Sequence, residues 1–487
     1  MAWADLVTIA PLVAAVLVAG SVLLVDLIWP GRPTPALVTS FVGLAIVAGV
    51  TLQTGQTVST AFSGGYTTDA LTTFLDILFI SIVALTILFA PDYLSARDLP
   101  IAEFATVLLF AMTGAMLISA STDLLVLFVG LELMVLPGYL LVGFAKRDAL
   151  ATEGAIKYFL LGSFSSAIFL FGLAFTWGMT GSTNIAVVAQ HLGQIASGGA
   201  ALSPGLAMGL AFMTTGVAFK LAAVPFHYWT PDAYQGSPTP VTGYLSVGPK
   251  LGAFALVLRL FVGALAPIKA DWFLVIVVLA AITMTLGNLV ALTQSNVKRM
   301  LAYSSIAHTG YMLVGLAAYA GGEQSGLQAL LYYGAAYTFM NLGAFAVVAA
   351  LQRRPGVTSH LDTFAGLARR EPILCALMTL FLLSLTGIPP TAGFFAKVGV
   401  ILAAVRVGGP GTVLAVLVVL NAAAAAFFYL RVVVYMFMRD PVTEAEPPRH
   451  GRLLWIGLSA ATVLTIVLGV FPGPLLDAAN RAAQALT

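Results

Sequence analysis

Charge is what this sequence has least of. Asp, Glu, Lys and Arg make up only 9% of its 487 residues, against about 25% in a typical soluble domain. That shortage excludes a water-solvated surface. With 60% hydrophobic residues, the chain is an all-α polytopic membrane protein whose solvent is the lipid bilayer. Cysteine is almost missing too. The single Cys375 excludes an internal disulfide and a multi-cysteine metal site, and its apolar surroundings make it a small buried residue. The N-terminal stretch has no basic n-region and no clear small-residue cleavage site, so it is expected to be a retained first span. The net charge of +2 gives no sign of a nucleic-acid partner. No polar stretch is long enough for a separate soluble domain. The longest connection, 180–204, is rich in Gly, Ser and Ala and is expected to be a surface loop.

What remains is a series of apolar runs, each long enough to cross a core of about 30 Å. They lie near 5–28, 36–54, 70–91, 101–119, 123–144, 155–178, 205–225, 241–264, 272–293, 300–319, 327–351, 372–405, 411–437 and 452–471, giving fourteen candidates. The cations test that count. With loops alternating sides, thirteen of the 22 Lys and Arg residues, from Arg32 to Arg452 and including Arg353 and Arg354, fall on one side and three on the other. The positive-inside rule makes the first side cytoplasmic and places both termini away from it.

Six cations fall inside the spans: Lys157, Lys220, Lys250, Arg259, Lys397 and Arg431. At a rise of 1.5 Å per residue, Glu132, Lys250, His308 and Lys397 each lie roughly 13–15 Å deep, near mid-bilayer. Charges at that depth are costly and mark ion or proton paths. Arg259 and Arg431 lie nearer span ends and could snorkel. Lys157 follows Glu153 by four residues, so a simple helical ion pair competes with a path role. His227 could relay protons near neutral pH or simply anchor a loop.

Prolines sit beside two of these lysines. The stretch "FKLAAVPFHYWTPDAYQGSPTP" carries Lys220 and then Pro225. "SLTGIPPTAGFFAK" carries Gly387, Pro389, Pro390 and Gly393 before Lys397. Both spans, the seventh and the twelfth, are expected to be broken. They run in opposite directions, as in an inverted repeat with sites at broken helices. Freed backbone groups are tolerable only where they face a polar interior, so both breaks are expected to line one.

At these residues the chain resembles the antiporter-like membrane subunits of respiratory complex I, the proton-pumping NADH:quinone oxidoreductase. The matching stretches are "GLELMVLPGYLLVG", "EGAIKYFLLGSFSSAIFLFG", "GVAFKLAAVPFHYWTPDAYQGSPTPV", "VKRMLAYSSIAHTGYMLVGL" and "LTGIPPTAGFFAK". The resemblance implies about 14 transmembrane helices with two inverted five-helix repeats, 99–265 and 266–438. Three N-terminal helices (1–98) precede them and a C-terminal span (439–487) follows. It implies proton transfer by Glu132, Lys220, Lys250 and Lys397, where a related subunit carries glutamate at the last place. Lys157, His227, Tyr303 and His308 match secondary positions of the polar axis. It also implies no cofactor in this chain. FMN, iron–sulfur clusters, NADH and quinone would belong to partner subunits in a bacterial cell membrane. A subunit of a multi-subunit cation/proton antiporter shares the fold and the Glu/Lys pair. A stand-alone transporter is a third possibility. A passive scaffold leaves the deep charges unexplained.

Overall fold

The computed structural model describes residues 3–199, 201–353, 358–441 and 449–486. Arg354, one of the cations in the topology count, lies outside the described residues. The first helices are α1 (Trp3–Thr8), α2 (Ala10–Ile28) and α3 (Pro33–Thr54). A small hairpin, β1 (Ser59–Ala61) and β2 (Tyr66–Thr68), follows with Ser59 opposite Thr68. Then come α4 (Ala70–Ser95), α5 (Ile101–Ala120), α6 (Leu124–Val142) and α7 (Ala149–Thr180). Acidic residues start three of these. Asp69, Asp123 and Asp148 accept backbone N–H groups of the first turn at 2.7, 2.8 and 2.9 Å, which satisfies orphan donors that lipid could not.

The connection expected to be a loop instead holds a helix, α8 (Ile185–Ser197), capped by Asn184. Ile185, Val188 and Leu192 are buried there at helical spacing, and that stripe outweighs the loop-like composition. Next are α9 (Pro204–Lys220), α10 (Trp229–Gly236) and α11 (Thr239–Val257), which runs on as a π-helical turn over Leu258–Ala264. The remaining helices are α12 (Lys269–Thr293), α13 (Val297–Ala320), α14 (Ser325–Leu351), α15 (Pro372–Thr386), α16 (Ala392–Val407), α17 (Gly409–Met438), α18 (Arg452–Val470) and α19 (Gly473–Gln484).

Among the described residues, eleven helices are long and apolar enough to cross a membrane. Their burial sorts them into layers. The most apolar stretch of α11 and its π-helical extension is 100% buried, and that of α14 is 94% buried, against 28% for α2 and 33% for α3. So α11 and α14 form the interior while α2 and α3 face outward, with Leu17 and Leu24 exposed. Glycines let the inner helices approach closely. A Cβ on Gly114 of α5 would sit 2.3 Å from the Met134 nitrogen of α6, and one on Gly310 of α13 would sit 2.4 Å from the Met284 nitrogen of α12. Without a hydrophobic force between helices in lipid, such backbone contact is a main source of cohesion. The buried helices can carry polar side chains because they meet protein rather than lipid.

Candidate proton pathway

The first site forms where α9 stops. The helix ends at Lys220 and the next begins at Trp229. The last turn of α9 and the residues after it free several backbone groups, and neighbouring side chains meet them. The Trp229 indole N–H donates to Phe219 O at 3.0 Å, Thr309 Oγ1 donates to Leu221 O at 3.0 Å, and the Val224 N–H donates to Thr283 Oγ1 at 3.0 Å. The expectation that this backbone points into protein is met. The prolines behave differently. Pro225 and Tyr228 are exposed, so part of the turn reaches the surface of the chain. Proline has no N–H, so its exposure leaves no orphan donor.

Lys220 itself is buried. Its Nζ donates to Ser166 Oγ at 2.9 Å and Gly162 O at 3.3 Å on α7. Glu132 of α6 is half-buried. It interacts with Lys220 electrostatically, yet its Oε1 is buried without a hydrogen-bond partner. The two groups sense each other without forming an ion pair.

From Lys220 the polar contacts continue along α13. Thr309, which holds Leu221 O, also donates to Ser305 O at 3.3 Å. Lys250 of α11 donates to the same Ser305 O and to Ser305 Oγ, both at 2.5 Å. His308 lies three residues on, one helical turn along the same face. Its Nδ1 is 2.8 Å from Tyr333 Oη and its Nε2 is 3.3 Å from Tyr429 Oη. Tyr429 also hydrogen-bonds Ser304. Rings close the remaining intervals. Lys250 Nζ is 6.0 Å from the Tyr337 ring, whose centroid is 4.9 Å from that of His308. The His308 ring lies 5.5 Å from that of Tyr311, and Lys397 Nζ is 5.0 Å from the Tyr311 ring.

Lys397 sits at the second interruption. Its Nζ donates to Thr386 O at 2.7 Å and Leu385 O at 3.0 Å, which are terminal carbonyls of α15. A cation there meets orphan acceptors and the negative end of the helix dipole. Gly387 makes the turn possible. It has φ +93 and donates to Leu383 O at 3.0 Å, while Ile388 N–H reaches the same carbonyl at 3.1 Å. A Cβ on Gly387 would meet Lys397 Cδ at 2.9 Å, so the residue is fixed both by its backbone and by the lysine. Ile388, Pro389 and Pro390 are exposed. The expectation that this break lines the interior therefore holds for the carbonyls under Lys397 and is corrected for those three residues.

The secondary residues divide. Lys157 is part-exposed and bonds Asp232 Oδ2 at 2.7 Å as well as Glu153 at 2.6 Å. Asp232 in turn accepts from Arg299 at 2.7 Å. Lys157 thus belongs to a network beside α10 and stands apart from the mid-depth row. His227 is buried, with Nδ1 lacking a hydrogen-bond partner. Its ring stacks near Tyr228 at 4.9 Å and meets the half-buried Tyr303 edge-on at 6.5 Å.

Arg259 does not snorkel. It is buried, and its guanidinium pairs with Asp69 at 2.8 Å while donating to Ser119 O at 2.7 Å and Thr72 Oγ1 at 2.9 Å. Nearby, Ser119 Oγ donates to the buried Asp76 at 2.6 Å. Asp69, Asp76, Asp232 and Ser305 were not singled out from the sequence. Asp76 could have been, as a lone carboxylate inside an apolar run.

Residues 121–423 match the family described as NADH:quinone oxidoreductase/Mrp antiporter, transmembrane, which is more than half of the chain. The chain belongs to this family. Among curated relatives, NADH-quinone oxidoreductase subunit N of Trichlorobacter lovleyi is 39% identical over 474 residues, covering 95% of this chain and 94% of that protein. Subunit N 1 of Koribacter versatilis is 44% identical over 424 residues, 86% of this chain and 81% of that one. A chain of respiratory complex I from Thermus thermophilus with bound aureothin superposes with a TM-score of 0.78 at 31% identity, covering 96% of this chain and 98% of that one. A chain of the Mrp complex from Dietzia sp. has a TM-score of 0.85 at 23% identity, covering 100% and 98%, and at that identity the likeness speaks for fold alone. The matched segment of this oxidoreductase/antiporter member contains Glu132, Lys220, Lys250, His308 and Lys397.

Proposed function

We propose that this chain is the subunit N of a bacterial NADH:quinone oxidoreductase. In this reading it conducts protons across the membrane while partner subunits carry electrons from NADH to quinone. The observation that carries the mechanism is that Lys220, Lys250 and Lys397 are all buried and donate only to neutral oxygens. An ammonium buried without a carboxylate costs several kcal/mol. An amine escapes that cost by passing its proton on, which arginine does not do. Glu132 would modulate Lys220 through its field. His308, with a tyrosine hydroxyl on each ring nitrogen, would link Lys250 to the neighbourhood of Lys397. Water would bridge intervals that no direct hydrogen bond spans. Lys157, His227 and Tyr303 would serve the approach to this row.

The same reading makes the chain a non-redox translocase subunit. FMN, iron–sulfur clusters, NADH and quinone would be held by its partners. It divides the chain into 1–98, the repeats 99–265 and 266–438, and 439–487. The bacterial cell membrane would hold both termini on the non-cytoplasmic side. The family description names the Mrp antiporter as well, and the Mrp chain shares the fold at 23% identity, whereas relatives near 40% over most of the chain bear the subunit N name. The test is Lys220→Arg in the assembled enzyme, reading NADH-driven proton uptake in vesicles. The expected result is normal assembly with proton transfer reduced several-fold. Full-rate pumping by that variant would reduce Lys220 to a structural counter-charge.

A further inference from the structure

A cavity of about 420 Å³ opens between α3, α4, α14 and α19, away from the row of lysines. Leu52, Phe74, Ile77, Phe339 and Leu475 form its walls. The hydroxyls that border it are already engaged. Thr73 Oγ1 donates to Asp69 O at 3.0 Å and Ser81 Oγ to Ile77 O at 2.8 Å, so the interior is apolar. Arg481 of α19 stands at the rim, exposed. Its side chain makes no hydrogen bond or ion pair among the described residues.

We propose that this cavity binds a membrane phospholipid with an acidic headgroup, with one acyl chain inside and the phosphate on Arg481. Three features fit such a ligand. α19 follows α18 after only Phe471 and Pro472, and it packs across the ends of α4 and α14. Its buried face is Ala479, Ala482 and Ala483, while Asp477 and Arg481 face outward. A short two-faced helix at the end of a span lies at headgroup level. The cavity then extends along α4 from Ala70 to Ser81, roughly 16 Å at the helical rise, which matches one leaflet of the hydrocarbon core. A spanning helix is about 10 Å across and about 30 Å long and displaces roughly 2,000 Å³, far more than the cavity holds. An acyl chain is the occupant that suits its depth, its walls and its single cation.

The assembled complex carrying Leu52→Trp, reconstituted in phosphatidylcholine liposomes, tests this. Dibrominated phosphatidylglycerol or dibrominated phosphatidylcholine is added in small amounts, and tryptophan quenching is compared with the parent complex. Phosphatidylglycerol is expected to quench the new tryptophan at about five-fold lower mole fraction, the effect of one basic residue near a membrane surface. Arg481→Gln should abolish that preference without abolishing quenching. Equal quenching by both lipids would mean ordinary boundary lipid and overturn the proposal. No quenching by either would mean that a partner subunit covers the cavity and would overturn it too. If Leu52→Trp fails to assemble, Phe74→Trp, also on the cavity wall, carries the same measurement.

Discussion

Replacing Lys397 by methionine separates two jobs that this amine holds at once. Its Nζ donates to Thr386 O at 2.7 Å and Leu385 O at 3.0 Å, so it caps α15 as well as standing in the row of deep cations. Methionine keeps an unbranched stem but has no donor. Two buried carbonyls then lose a partner, at about 1–3 kcal/mol each. Losing the cation at the helix C-terminus adds about 0.3–2 kcal/mol. The several kcal/mol needed to bury an unpaired ammonium vanish at the same time. The two effects largely cancel, so Lys397→Met should assemble with a melting midpoint near that of the parent. Proton transfer should fall by roughly 100-fold at that step, the lower range for removing a positioned proton carrier. Lys397→Arg keeps the charge and the donors but holds its proton. Because it cannot shed the buried charge, it should be less stable than the parent, and it should resemble Lys397→Met in pumping. Proteoliposomes with an internal pH dye report pumping, and differential scanning of the purified complex reports stability. If Lys397→Arg pumps at the parent rate, Lys397 is a helix cap and the proton-carrier reasoning fails.

Three further outcomes follow from other contacts. Thr309→Val removes the donor to Leu221 O and should destabilise the turn after Lys220 by about 1–3 kcal/mol; faster amide exchange over 221–228 would register this, and unchanged exchange would mean water takes over the carbonyl. Arg259→Met leaves Asp69 buried without its cation and should cost about 3–5 kcal/mol. Adding Asp69→Asn should recover much of the lost complex yield, and a double variant no better than the single would dissolve the idea of a compensated pair. Glu132→Gln should alter the pH profile of pumping in the parent and much less in a Lys220→Met background, because their interaction is reciprocal; equal effects in both backgrounds would show that the two groups are uncoupled.

The sequence exposed some of this and hid the rest for physical reasons. Lys220, Lys250 and Lys397 stood out because an ion in an apolar run is rare, and the prolines beside two of them stood out because a helix interior excludes them. The partners were hidden. Ser305, which binds Lys250, is an ordinary helical serine by composition, and Asp69 is 190 residues from Arg259. The proximity of Arg259 to a span end suggested snorkelling, but the fold buried that end and supplied a carboxylate. α8 was missed for the opposite reason. Its Asn184 cap and its Ile185, Val188 and Leu192 stripe are present in the sequence, but the Gly, Ser and Ala around them give the segment the composition of a loop. The breaks were foreseen as interior throughout, yet proline needs no partner for an N–H, and so Pro225, Pro389 and Pro390 could come to the surface.

What joins the separate lysines is one face of α13. Ser305, His308 and Tyr311 follow each other at three-residue spacing, and Thr309 lies beside them. Through Thr309 the helix holds the carbonyl just after Lys220, through Ser305 it holds Lys250, and through the Tyr311 ring it meets Lys397. A helix facing lipid could not offer this many hydroxyls and an imidazole without paying for their desolvation. α13 can, because those residues are buried among α11, α14 and α17 and each ring nitrogen of His308 has a tyrosine hydroxyl beside it. The glycine at 310, which brings the α12 backbone against α13, fixes where that face points. Packing and polar chemistry are thus set by the same few turns of one helix, and a substitution there should be judged on both at once.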